Sequence, residues 1–157
     1  MKITSEEVLR GLINIFNING YRVEVYQKLS NQIYNPALQK YFQQQVDESS
    51  IILQELTPII NSFFEESENR AAFEDAKLDQ SQFYFGLACA SNNPRTVMVS
   101  CQFGNEFLIK TYQKVLKFLD TNALDSLWVM VSKHLESIKN TYMDFEKHII
   151  KEMPIVA

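Results

Sequence analysis

Apolar residues recur along the chain at steps of three and four, the signature of one face of an α-helix. In the first stretch the face runs Val8, Leu12, Ile15, Asn19, Val23, Tyr26 and Ser30. Thr4-x-x-Glu7 ahead of it forms a capping box, in which each side chain meets an orphan amide of the first turn. Asn19-Gly20 has the composition of a hairpin turn, but its flanks alternate with the helical period. One helix is therefore predicted to continue through Gly20, at a cost of about 1 kcal/mol relative to alanine. A second helix opens at Asn35-Pro36, a cap followed by a proline where no amide is needed. Its face is Leu38, Phe42, Gln45, Ser49, Ile52, Leu56, Ile59 and Phe63, with a kink or break expected near Pro58. A third opens in the same way at Asn93-Pro94 and shows Val97, Cys101, Gly104, Leu108, Thr111, Val115 and Phe118. The fourth presents Leu124, Trp128, Val131, Leu135, Ile138, Tyr142, Phe145 and Ile149, and Pro154 is expected to end it.

The connections set the expected topology. Short links around residues 31–34 and 120–122 make antiparallel neighbours of helices 1 and 2, and of helices 3 and 4. Residues 65–92 between helices 2 and 3 are far more numerous. Helices of this length run about 40 Å, a distance the long connection can span. That predicts an all-α, ferritin-like four-helix bundle, with one long crossover between helices 2 and 3. Phe83-Tyr84-Phe85-Gly86-Leu87-Ala88-Cys89 is apolar enough to form a short helix within the crossover. Gly104 in the third face removes a side chain where two helices could approach closely.

Composition narrows the class without naming a function. The 157 residues are 46% hydrophobic and carry a net charge of -4, which fits one folded domain over residues 1–157 and argues against nucleic acid as a partner. Two cysteines are too few for a disulfide framework and suit a reducing compartment. The N-terminus turns acidic before any apolar run develops, and no run approaches the length that spans a bilayer. A cytoplasmic protein with no membrane association is expected.

The third face carries a resemblance. Cys101-x-x-Gly104-x-Glu106-x-x-x-Lys110-x-Tyr112 resembles the third-helix motif of an uncharacterised bacterial family of ferritin-like four-helix bundles. Tyr26-Gln27-Lys28, Leu38-x-x-x-Phe42, Ser49, Gln54-Glu55-Leu56 and Asn92-Asn93 agree in the same order, although Val25 stands where that family has Gly. The resemblance implies a bacterial ferritin-like bundle, with some members linked to stress responses, and no established activity.

A carboxylate-bridged di-iron site needs a Glu from each of two helices and Glu-x-x-His from each of the other two. Neither His134 nor His148 has Glu three residues before it. Tyr142 stands where the resembled family often has an inward His, and Asn105 where it commonly has Glu. The expectation is a non-catalytic protein with no cofactor, and the rival is an irregular metal set of Glu24, Glu48, Glu106 and His134. Asp144, His148 and Glu152 form a row read as a solvated flank, and His134 is read as a partly exposed residue at the seam's edge. Cys101 is read as a buried, inert thiol, and Lys110, Lys114 and Lys117 as a solvated face. A second rival is a small apolar ligand in a core loosened around Gly104 and Ser49. Asn19, Gln45 and Ser49 interrupt apolar seams and are expected to form an internal hydrogen-bond layer. Phe83, Tyr84 and Phe85 are consecutive, so at least one ring must face outward, and a homodimer with these residues at its interface is expected.

Overall fold

The computed structural model describes residues 6–64, 79–121 and 124–150, without the side chains at 6, 63, 64, 121 and 148–150. The elements are α1 (Glu6–Gln32), α2 (Pro36–Phe64), α3 (Gln80–Cys89), α4 (Pro94–Thr121) and α5 (Asp125–Asp144), followed by a π-helical segment (Phe145–Ile150). Every regular element among the described residues is helical. The first, second, third and fourth predicted helices are α1, α2, α4 and α5, and the short helix of the crossover is α3. The expected cap at Thr4, the end at Pro154 and most of the polar half of the crossover lie outside the described residues.

Local chemistry accounts for the helix starts. Asn35 Oδ1 accepts the Leu38 amide at 3.1 Å, and Asn93 Oδ1 accepts those of Arg95 and Thr96 at 3.0 and 3.3 Å. Helix α3 has a cap that the periodicity did not indicate. Asp79 Oδ1 accepts the Ser81 amide at 2.9 Å while Gln82 Oε1 accepts the Asp79 amide at 2.8 Å, a capping box. Helix α1 is continuous through Gly20, as the period predicted. Helix α2 also runs unbroken through Pro58. Pro58 and Gln54, whose carbonyl loses its amide partner, are both exposed, so water can replace the missing bond.

The long helices pack side by side, α1 against α2 and α4, and α5 against α4 and α2. Tyr26–Tyr41 with Arg22–Glu48, Gly11–Val115 with Asn19–Tyr112, and Glu48–Thr141 with Glu55–His134 make the α1–α2, α1–α4 and α2–α5 contacts antiparallel. It follows that α2 and α4 run parallel. Helix α3 doubles back on α4 and also covers α1. Asp79 fixes its start, because Oδ2 accepts from Asn14 of α1 at 3.2 Å and Thr111 of α4 at 2.9 Å.

The interior divides into two clusters. One is aliphatic and built from all four long helices, with Leu12, Ile15, Leu56, Leu108, Leu119 and Val131 at its centre. The other is aromatic, with Tyr26, Tyr41, Phe42, Phe85, Cys101 and Phe145. Gly104 lets α3 approach, since a Cβ there would lie 2.7 Å from the Phe85 ring. The room that the glycine leaves is filled by that ring.

Some predicted faces rotate in detail. Leu127 takes the buried position of α5, and Trp128 is 40% exposed. On α1, Val23 and Ser30 are only half-buried, while Arg22, Val25 and Leu29 turn inward. No helix among the described residues is long and apolar enough to cross a membrane.

Candidate functional site

Between the aliphatic and aromatic clusters lies a polar layer whose centre is Arg22, with 0% of its surface exposed. Its Nη1 donates to Asn19 Oδ1 at 2.9 Å, and its Nη2 donates to Gln45 Oε1 at 2.6 Å and Glu48 Oε1 at 2.8 Å. The second carboxylate oxygen of Glu48 accepts from Ser137 at 2.6 Å and Thr141 at 2.8 Å, both on α5. Asn19 Nδ2 donates to Tyr112 OH of α4 at 3.0 Å and back to the Ile15 carbonyl at 2.7 Å. The network therefore joins all four long helices.

The electrostatics follow from burial and pairing. Burial disfavours both charges, but their proximity wins: Arg22 is held above its ordinary pKa by Glu48, and Glu48 below the ordinary carboxylate range by Arg22, Ser137 and Thr141. Both ions persist because each is the other's counter-charge. Arg22 Nε and Gln45 Nε2 have no protein partner among the described residues. Ser49 is buried but donates to the Gln45 carbonyl of its own helix at 2.7 Å. The expected layer thus exists around Asn19 and Gln45, with Ser49 outside the side-chain network.

Arg22 was the residue missed. From Val8 the strict alternation of four and three continues 12, 15, 19, 22, 26, 29, 33, and every one of these positions is buried. Stepping from Asn19 to Val23 avoids a charge but breaks that alternation. The period was the better guide than the residue type.

The rival metal residues are dispersed. Glu24 is exposed, beside Lys28 and Cys89 in the α1–α3 groove. Glu48 is committed to Arg22. Glu106 accepts from Tyr142 at 2.9 Å. His134 is buried at 4% exposure rather than partly exposed, with Nε2 3.4 Å from Glu55 Oε2 and its ring edge-on to Tyr112. Burial lowers its pKa, partly opposed by Glu55 and Glu48. Its depth follows once Leu127 replaces Trp128 on the buried face, since Leu127, Val131, His134 and Ile138 are spaced four, three and four and all are buried. Asn105 is buried and donates to Tyr41 OH at 2.8 Å. Among the described residues no three His, Cys, Asp or Glu side chains converge on one point. The central donors do not suit a di-iron pair: one carboxylate is already balanced by a guanidinium, and its neighbours Asn19, Gln45 and Tyr112 are neutral.

The remaining expected residues are placed as follows. Cys101 is buried, and burial pushes its thiol up to about 12, which removes thiolate reactivity near neutral pH. Lys110, Lys114 and Lys117 are exposed. Asp144 is exposed, while the His148 side chain and Glu152 lie outside the described residues. Phe85 is buried, Tyr84 half-buried and Phe83 60% exposed, so at least one ring does face outward.

No family model, curated protein or solved structure matches this chain.

Proposed function

We propose that this protein is a ferritin-like four-helix bundle that catalyses no reaction and works by binding other proteins or copies of itself. Its resemblance to the bacterial ferritin-like family is part of the same reading, as is a location in the cytoplasm, which two unpaired cysteines suit. The antiparallel pairing of α1 with α2, and the parallel course of α2 and α4, support the bundle topology. One observation carries the metal-free part of this reading: Arg22 supplies the positive charge at the centre and makes a charge-assisted bond to Glu48 at 2.8 Å. A carboxylate balanced in this way has no excess negative charge to attract a cation. The apolar-ligand alternative loses its main support, because Phe85 fills the space beside Gly104.

The test is elemental analysis with a peroxide assay. Protein purified from iron-supplemented cells is expected to hold well under one iron per chain and to consume no peroxide above background. Stoichiometric iron that disappears in Glu48→Ala or Glu106→Ala would overturn the reading in favour of the metal-binding alternative.

A further inference from the structure

The outer face of α4 divides into two halves along one line. Val99, Phe103 and Phe107 occupy its N-terminal half, and Lys110, Lys114 and Lys117 its C-terminal half. At 100° per residue these six positions fall within a narrow arc on the side opposite the buried Cys101, Leu108 and Tyr112. Helix α3 widens the apolar half. Tyr84 stacks on Phe103 at 5.2 Å and on Phe107 at 5.4 Å, and Phe83 meets Tyr84 edge-on at 5.3 Å. Phe83 is 60% exposed, while Phe103 and Leu87 are each 42% exposed. Lys110 Nζ lies 5.1 Å from the Phe107 ring centroid, so the apolar and basic halves adjoin.

An apolar strip in which Phe83, Leu87, Val99 and Phe103 are each at least 40% exposed is unusual for a surface with no partner. Charge indicates what covers it. Helix α4 carries Arg95, Lys110, Lys114 and Lys117 against Glu106 and Asp120, a net charge of +2 within a chain of net charge -4. A two-fold dimer uses this same face on both copies, so it would offer the lysines no acidic patch as a complement. Phosphate-dense nucleic acid and anionic membrane are opposed by the net charge, and membrane patches use roughly 4–8 clustered basic residues. An acidic amphipathic helix suits both halves at once. The strip from Val99 to Lys117 measures about 27 Å, the length of about 18 helical residues.

We infer that the α3–α4 face is a docking site for an amphipathic helix of a partner protein, apolar at one end and acidic at the other. The inference rests on the interaction reading above and specifies its partner. The apolar anchors of the partner helix, spaced at i, i+3/i+4 and i+7, lie on the Phe83, Tyr84, Phe103 and Phe107 rings. Its carboxylates face Lys110 and Lys114.

The probe is a synthetic helical peptide of about 18 residues, with leucines on one face of its first half and glutamates on that face of its second. A matched peptide carries lysines in place of the glutamates. The full chain is expected to bind the glutamate peptide at least about tenfold more tightly than the lysine peptide. Phe103→Ser, and separately Lys110→Glu with Lys114→Glu, should each remove that binding while the protein keeps a cooperative thermal melt. Equal affinity for the two peptides, or none for either, would overturn the inference. So would a dimer of the free protein that Phe103→Ser dissociates, or capture by phosphatidylserine vesicles that matches capture of the peptide. In the dimer case the interaction reading survives and only the partner changes. Stoichiometric iron would instead remove the interaction reading and leave the peptide result standing.

Discussion

The two ends of the interior are built by different rules. Apart from Tyr112, the buried residues of the aliphatic end are Leu, Ile and Val on the long helices, most of them at steps of three and four. The aromatic end closes only because separate parts converge. Phe85 arrives on α3 through the gap at Gly104, and Phe145 arrives on the π-helical segment and stacks on Tyr41 at 4.2 Å. Its tyrosines need polar partners as well, which Tyr26, Tyr41 and Asn105 provide for one another. Between the two ends, Arg22 and Glu48 hold the layer where α1, α2, α4 and α5 must agree in register. Each end has a close glycine contact, Gly11 against Val115 and Gly104 against Phe85, but only the polar layer ties all four long helices through directional bonds.

The strongest way to break this contrast is at the layer. Arg22→Ala leaves the mostly buried Glu48 without its counter-charge and the Asn19 and Gln45 oxygens without their donor, and is expected to cost about 3 kcal/mol. Arg22→Met combined with Glu48→Leu removes both charges and should recover part of that loss, the remainder being the buried Asn19 and Gln45 oxygens left without their donor. Urea denaturation of the single and double variants measures the difference. Equal destabilisation of the two would show that the layer matters for its shape and not for its charge balance.

The aromatic end is sharpened by a pair of glycines. Gly104→Ala drives a methyl into Phe85 and is expected to destabilise by about 1–3 kcal/mol. Gly20→Ala meets nothing within 4 Å and should stabilise α1 by up to about 1 kcal/mol, the helical preference alone. Thermal melts that move in the same direction for both would mean that α3 does not press on α4 through Gly104.

The smallest handle is pH. His134 is held below its ordinary pKa by burial, so the unfolded chain takes up a proton first as pH falls through about 6.5, and stability declines there. Glu48 is also held low, through Arg22. Its contribution is complete above about pH 4.3 and drains away as pH falls through that value toward the folded pKa. Melting temperature followed against pH should therefore fall in two stages. His134→Gln should flatten the upper stage, and Glu48→Gln the lower. A single stage unaffected by either substitution would contradict the assignment.

Much of the architecture was legible in the order of residues. The caps at Asn35 and Asn93, the unbroken course through Gly20 and the short helix in the crossover follow from local chemistry that acts over a few residues. The register of the seams is a property of the helical period, and that period even pointed to Arg22. Residue type pointed away from it, because a lone arginine is excluded from apolar surroundings unless a partner meets it. That partner, Glu48, lies on another helix, and the hydroxyls that hold its second oxygen lie on a third. His134 went the same way: the spacing of Leu127, Val131, His134 and Ile138 puts it on the buried face, while its partners Glu55 and Tyr112 lie on other helices. The sequence by itself determined the helices, the caps at Asn35 and Asn93 and most of the positions they bury, since these depend on neighbours one turn away. Tertiary structure alone decided which charges could live inside, because the cost of burying a charge is set by what stands within a few ångströms across helices that are distant in the chain.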